Sequence, residues 1–192
     1  MKLKLLAAAS LVAFSTMVSA QSSFTIGYAL QDDESPAVQK HVNSIRFQTN
    51  LANNLDGDVG MSKTVADVAN TITTRYEAGL TYKYPVNSWM TASLRGALGE
   101  RQPSGKDSYS YYSVEPAVTL KTPISGLDAK VGYRWRDTVA DRIASTRNDR
   151  NETTRYQLSY ALTKVDRIAV GYDVQRGDGA NTTTTLQYQR SF

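Results

Sequence analysis

Apolar and polar residues alternate strictly along much of this chain. From Tyr76 to Tyr82 the sequence reads Tyr-Glu-Ala-Gly-Leu-Thr-Tyr, with Arg75 before it and Lys83 after it. A period of two is typical of β-strands, because successive side chains point to opposite faces of a sheet. The alternation recurs about ten times between residue 24 and residue 192, which predicts an all-β fold of about 10 strands, within a range of about 8 to 12.

Each predicted strand has one apolar face, and in a transmembrane barrel that face points into lipid while the other lines a polar interior. The predicted fold is therefore a transmembrane antiparallel up-and-down β-barrel, with its amino end in the periplasm and short turns on that side. The third strand departs from the pattern, because Lys63 lies at an outward position. Pro116 lies inside the sixth strand and cannot donate a ladder hydrogen bond, so we expect a bulge or irregular pairing there. The ten strands are expected at about 24–30, 42–51, 58–65, 76–82, 90–98, 112–120, 127–135, 156–162, 168–174 and 186–192.

The first twenty residues have the pattern of a secretory signal peptide. Lys2 and Lys4 precede an apolar run at 5–14, and small residues follow at 18–20. The apolar run is shorter than the roughly 20 residues that a membrane-spanning helix needs. We therefore expect residues 1–20 to be a signal peptide and residues 21–192 to form a barrel in the Gram-negative outer membrane, in contact with its lipid.

The average composition hides the membrane-facing surface. A mean hydropathy of −0.41 and 41% hydrophobic residues are typical of a soluble protein, but a barrel gives similar averages because its polar interior offsets its apolar exterior. Ten of the twelve tyrosines fall at outward positions, mostly near strand ends, as expected for rings at the membrane boundaries. The chain has no cysteine, which excludes disulfides and thiol chemistry.

A soluble β-sandwich with a tyrosine-rich core is the alternative fold. It would need a polar outer face and connections of similar length at both ends. The predicted outside loops at 31–41, 99–108, 137–152 and 176–181 are mostly long and charged, whereas the opposite turns take about four or five residues. This asymmetry favours the barrel.

Positive charge is concentrated on the inward face of the predicted strands. The whole chain has a formal charge of +4, and without Lys2 and Lys4 it has 20 basic and 18 acidic residues, a net charge of +2. The inward positions hold ten basic and five acidic residues, a net charge of +5. A low-dielectric wall focuses such a field and concentrates anions, and the arginine fork binds carboxylates through two hydrogen bonds. The predicted pore-lining or substrate-contacting residues are Arg46, Arg75, Arg95, Lys130, Arg134, Arg136 and Arg155.

The same side chains also allow a plugged barrel. Arginine and glutamate can interlock across a narrow lumen, and Arg75, Glu77, Arg95 and Glu115 form a candidate group of this kind. Eight strands leave room only for side chains, whereas wider barrels leave an aqueous path. A non-conducting barrel that binds a host ligand, a phage or an envelope partner through its outer loops therefore remains the alternative to a narrow channel.

Three segments carry a family resemblance. The sequences at 131–137 (VGYRWRD), 155–160 (RYQLSY) and 170–174 (VGYDV) resemble the closing strands of the oligogalacturonate-specific porin family, which includes the sialic-acid porins. The resemblance implies a small monomeric barrel of twelve strands. Its narrow channel would be lined by tracks of arginine side chains, along which acidic oligosaccharides pass. By resemblance, Arg134, Arg136 and Arg155 would belong to such a track, with Lys130 beside them. The terminal Phe192 is similar to the signal that the outer-membrane assembly machinery recognises, although Arg190 stands where that signal usually has an apolar residue.

Enzymatic functions find few candidate residues. His41 is the single histidine, and without cysteine the choice of base or nucleophile is small. An acyl-transfer site at the outer rim would need His41 together with Asp32, Asp33 and Ser35. We predict no catalytic residue, cofactor, metal site or nucleic-acid partner. The leading hypothesis is passive uptake of small anionic solutes, with acidic oligosaccharides as the leading class.

Overall fold

The protein folds as a closed antiparallel barrel of ten strands, which confirms the predicted fold class. The structure, a computed structural model, describes residues 21–33, 39–66, 71–139, 150–177 and 179–192, so the predicted signal peptide lies outside it. Each strand pairs with its neighbours in sequence, and the first pairs with the last from Ser23 opposite Ser191 to Asp33 opposite Asn181. The strands are β1 (Ser22–Asp33), β2 (Gln39–Ala52), β3 (Leu55–Ala66), β4 (Thr71–Pro85), β5 (Met90–Pro103), β6 (Tyr109–Lys121), β7 (Leu127–Thr138), β8 (Asn151–Ala161), β9 (Asp166–Gly177) and β10 (Asn181–Ser191).

The strand count agrees with the ten alternating segments and differs from the twelve strands that the family resemblance implied. Closure into a barrel leaves no unpaired strand edge, which satisfies the backbone N–H and C=O groups inside a membrane. Within the described residues, no helix is long and apolar enough to cross a bilayer.

The strands extend further at the outer end than predicted. About half of the residues in the predicted outside loops at 31–41, 99–108 and 176–181 are strand in the structure, because the ladder continues through polar residues. The prediction of long outside loops was therefore wrong except between β7 and β8. On the periplasmic side the shortest turn contains only Asn53 and Asn54, and Asn54 adopts a φ of 65°, which asparagine tolerates better than most residues. The outer connections are 34–38, 67–70, 104–108, 139–150 and 178–180.

Two predicted irregularities have different outcomes. Lys63 is outward and exposed, yet β3 is continuous around it. At Pro116 the ladder to β7 lacks the pairs of Glu115 and Pro116, while the register is the same on both sides. The irregular pairing expected there is confirmed, without an inserted residue. The register shift in the barrel lies instead between Asn50 and Ala52 of β2, next to a turn.

The outer face of the barrel is apolar. Leu98, Leu158 and Leu186 expose 66%, 56% and 58% of their surface. Such a surface would favour aggregation in water, but it is the surface that a barrel presents to lipid. A closed barrel with this apolar exterior fits the predicted location in the Gram-negative outer membrane.

The outward tyrosines belong to the same surface. Eight of the ten predicted ones are exposed. Tyr112 packs edge to face on Trp135, with ring centroids 5.2 Å apart, and the Tyr188 hydroxyl donates to Asp166 at 2.5 Å. These rings combine an apolar body with a polar tip, which suits the boundary between lipid and water.

The interior of the barrel is polar. Among the described residues, the buried hydrophobic side chains are five alanines and Tyr111. Buried polar residues include Asp58, Arg95, Glu115 and Arg136. The strands are therefore held together by the ladder, the lipid-facing surface and polar contacts across the lumen, and these polar contacts define the candidate site.

Candidate functional site

A cavity of about 1140 Å³ lies along the lumen. Its wall includes Gln21 and Ser191 at the periplasmic end and Lys106 and Gly179 at the outer end. A second cavity of about 330 Å³ lies among the lumen residues of β2 to β10. The side chains therefore leave space along the barrel axis instead of filling the lumen completely.

The structure places all seven predicted site residues on the lumen face. Arg95 and Arg136 are almost fully buried, whereas the Arg46 side chain keeps 43% of its surface exposed. The larger cavity is lined by Arg46, Arg75, Lys130, Arg134, Arg136 and Arg155, and the smaller one by Arg46, Arg95, Lys130 and Arg155.

A first ion-pair cluster, the Arg95 cluster, consists of Arg46, Asp58, Glu77 and Arg95. The Arg95 guanidinium binds Asp58 through two hydrogen bonds, Nε to Oδ2 at 2.9 Å and Nη2 to Oδ1 at 2.7 Å. Its Nη2 also lies 2.7 Å from Glu77 Oε1. Arg46 is held more loosely, at 3.6 Å from Asp58 and 3.5 Å from Glu77. Glycine at position 79 leaves room for the cluster, since a Cβ there would lie 2.6 Å from Arg95 Nη2.

A second cluster, the Arg155 cluster, consists of Glu115, Lys130, Arg155 and Asp173. Arg155 donates from Nη1 to Glu115 at 2.9 Å and from Nε to Asp173 at 3.1 Å. Lys130 Nζ lies 3.5 Å from the other Glu115 oxygen. The predicted interlocking group is thus only partly correct: Glu77 pairs with Arg95 as expected, but Glu115 pairs with Arg155 and Lys130, and Arg75 joins neither cluster.

Arg75 and Arg134 differ from the other site residues. Across the ranges that the structure describes, no carboxylate lies within ion-pair distance of either guanidinium group. Arg134 Nη2 donates to Thr153 at 3.3 Å, and the Arg75 guanidinium lies over the Tyr111 ring, 5.8 Å from its centroid. The Nε atoms of both arginines are buried without a hydrogen-bond partner. Their positive charge is therefore not neutralised by direct pairing.

Tyr111 lies at the junction between the paired and the unpaired charges. It is fully buried, and its hydroxyl donates to Glu77 Oε2 at 3.0 Å. The Arg136 guanidinium also lies over its ring, at 5.3 Å. Reasoning from the sequence did not select this tyrosine, although the outward position of Tyr112 implies that its neighbour faces inward.

Two further ion pairs lie at the periplasmic end of the lumen. Asp56 binds Lys83, and it also accepts from Gln48 at 2.6 Å. Arg167 donates to Asp128 at 2.5 Å. Asp56 lies in β3, directly after the two-residue turn, and is buried.

The wall of the cavity that faces the charged strands is uncharged and polar. β10 contributes hydroxyl and amide groups that face the lumen, and β1 continues this surface. The alternation near the end of the chain places these side chains on the inward face, but they carry no charge and are not among the predicted site residues. The residues are Thr25 and Gln31 of β1 and Thr183, Thr185, Gln187 and Gln189 of β10.

His41 lies inside β2, where its Nδ1 is 2.6 Å from the Tyr28 hydroxyl. Both residues are at outward positions near the outer rim. Ser35, one of the suggested acyl-transfer partners, lies outside the described residues. The part of the chain that the structure describes contains no group of three or more histidine, cysteine, aspartate or glutamate side chains able to hold a metal ion.

Solved structures similar to this chain are outer-membrane barrels. The KdgM porin in complex with disordered oligogalacturonate has a TM-score of 0.54 at 14% identity, over 88% of this chain and 99% of that chain. An outer membrane channel from Pseudomonas putida F1 has a TM-score of 0.61 at 9% identity, over 90% and 96% of the two chains. The β domain of the Bordetella autotransporter BrkA has a TM-score of 0.56 at 12% identity, over 91% and 100%.

No protein-family model and no curated protein matches the chain. At these identities the likeness concerns the fold alone, and it confirms the resemblance to the oligogalacturonate porins at that level. The same barrel architecture carries a porin, a channel and an autotransporter domain, so the function has to be argued from the lumen of this protein.

Proposed function

We propose that this protein is a narrow outer-membrane channel for passive uptake of small anionic solutes, with acidic oligosaccharides as the leading class, and that it is not an enzyme. The observation that carries the proposal is a cavity that reaches both ends of the barrel and is lined by two guanidinium groups, those of Arg75 and Arg134, that form no ion pair with a carboxylate in the described ranges. Rings of arginine or lysine are a general means of selecting anions in a pore.

The seven basic residues contribute unequally to this function. Arg75 and Arg134 form no direct ion pair with a carboxylate of the described residues, so their charge can attract the solute, although Glu77 and Glu115 lie near enough to weaken the field of Arg134. Arg46 is half exposed and only loosely paired, so it can exchange a protein carboxylate for one of the solute. Arg95 is fixed by two hydrogen bonds to Asp58 and acts mainly by holding the wall together. Arg155 is fixed in the same way by Glu115 and Asp173, while Lys130 and Arg136 add to the surrounding field.

The uncharged wall supports a sugar acid over a simple inorganic anion. Side-chain amides and hydroxyls both donate and accept hydrogen bonds, so Thr183, Thr185 and Gln187 match the hydroxyl groups of a sugar while the opposite wall matches its carboxylate. The structurally similar KdgM porin has been solved with oligogalacturonate, which is consistent with this class of solute.

Planar-bilayer recordings test the proposal. The purified barrel, placed between unequal concentrations of potassium chloride, is expected to conduct and to give a reversal potential that favours chloride. Addition of galacturonate oligomers should reduce the chloride current, because the solute occupies the same path. A folded barrel that gives no channels, or one that prefers potassium, would contradict the proposal.

A plugged barrel is the second candidate. The observation that favours it is the extent of the two ion-pair clusters, which reach from β2 to β5 and from β6 to β9. In that case the barrel would give no channels although it resists unfolding by detergent, and its function would lie in the outer connections.

A further inference from the structure

We propose that Tyr111 is a positioning residue for anion selectivity. Its hydroxyl donates a hydrogen bond to Glu77, which keeps the Arg75 guanidinium from pairing with that carboxylate and leaves it available to the passing anion. The inference rests on the proposed anion-channel function and names a residue that the charge pattern does not reveal. It concerns how one cation stays unpaired beside an acidic group.

Both oxygens of Glu77 already have donors. Oε1 faces Arg95 at 2.7 Å and Arg46 at 3.5 Å, while Oε2 accepts from the Tyr111 hydroxyl at 3.0 Å. A buried carboxylate keeps all of its oxygens bonded, because an oxygen without a donor loses its solvation. At Oε2 the donor is neutral, so the bond is made without using a positive charge.

Of the arginines that form no ion pair with a described carboxylate, Arg75 is the one that shares a strand with Glu77. It lies two residues before Glu77 on β4, on the same face of the strand, where side chains are about 7 Å apart at their base. It contacts the Tyr111 ring instead, at 5.8 Å from the centroid. A cation over an aromatic face is stabilised but keeps its net charge, so Arg75 is positioned without being neutralised.

The space for Tyr111 is provided by Gly99. A Cβ at position 99 would collide with the end of the Tyr111 ring. β5 therefore lets the hydroxyl cross from β6 to Glu77 on β4, over the strand that lies between them. With this hydrogen bond between β6 and β4 in place, the carboxylates of the Arg95 cluster stay separate from Arg75.

The variant Tyr111→Phe tests the inference, because it removes the donor and retains the ring. Without the hydroxyl, Arg75 is expected to turn toward Glu77 Oε2, and the ratio of chloride to potassium permeability should fall by up to about sevenfold, because withdrawing one unit charge from about 7 Å in a water-like medium weakens the attraction of chloride and the repulsion of potassium by about 2.7-fold each. Ser113→Ala is the matched control: it also removes one buried hydroxyl from β6, but the Ser113 Oγ has no hydrogen-bond partner to lose, so its permeability ratio should equal that of the wild type.

A double variant separates this role from a structural one. In a Glu77→Gln background there is no carboxylate to capture Arg75, so adding Tyr111→Phe should leave the permeability ratio unchanged. An unaltered ratio in Tyr111→Phe alone, or the same fall in both backgrounds, would overturn the inference while the anion preference of the wild type still stood. A wild type without anion preference would instead remove the proposed function itself.

Discussion

At the scale of single residues, the lumen contains two kinds of arginine that look identical in the sequence. Arg95 lies between Asp58 and Glu77, with three contacts of 2.9 Å or less. Arg75 faces the same lumen and touches an aromatic ring. A buried, paired guanidinium mainly supports the structure around it, whereas an unpaired one can act on a solute.

This difference predicts opposite effects of the same substitution. Arg95→Gln removes the close cation of two buried carboxylates and leaves them only the looser contacts of Arg46, so the free energy of unfolding, measured by urea titration in lipid vesicles, should fall by roughly 3 kcal/mol. Arg75→Gln removes no ion pair and should change it by less than about 0.5 kcal/mol, yet it should lower the preference for chloride over potassium in bilayers by about sevenfold. Equal losses of stability in the two variants would show that the distinction between them is mistaken.

At the scale of the strands, each element serves two environments at once. Along β10, Leu186 points outward with 58% of its surface exposed, while Thr185 lines the cavity. The two faces differ by one residue, because side chains alternate across a strand. The position of a residue along the strand therefore decides whether a charge there is costly.

Substitutions on β10 should show this dependence. Leu186→Arg places a charge in lipid near the middle of the strand and should destabilise the barrel by about 2–4 kcal/mol. Thr185→Arg places the same side chain in a polar cavity of about 1140 Å³, and we expect little loss of stability. Both are measured by urea unfolding in vesicles of one lipid composition, and a larger loss for Thr185→Arg would contradict the assignment of the two faces.

At the scale of the whole molecule, the barrel separates charged from uncharged surface across its diameter. The ion-pair clusters and the unpaired arginines lie on β2 to β9, and the hydroxyl and amide wall lies on β10 and β1. A solute in the cavity meets both surfaces together. The field of the charged side acts through water, so ions in solution weaken it.

The anion preference should therefore depend on salt. The screening length is about 10 Å at 0.1 M and about 3 Å at 1 M ionic strength, so the chloride preference should decrease clearly between these concentrations. Uptake of a neutral sugar of similar size, followed by liposome swelling, serves as the control and should change little. A preference that persists undiminished at 1 M would indicate selection by pore size and not by charge.

The sequence by itself determined the fold class, the strand count and the face on which each strand residue lies, since alternation is a local property that closure of the barrel does not alter. It also placed the seven basic residues on the lumen face. It did not determine the strand ends, where polar residues continue the ladder without any change of pattern.

Only the tertiary structure decided which charges meet. Arg95 pairs with Asp58 across 37 residues of sequence, and Arg155 with Glu115 across 40. The alternation gives the face of a residue but not its height in the barrel, which depends on the register of all ten strands and on their tilt. For that reason the sequence could not predict that Arg75 stays unpaired, nor that the Tyr111 hydroxyl bonds Glu77 in its place.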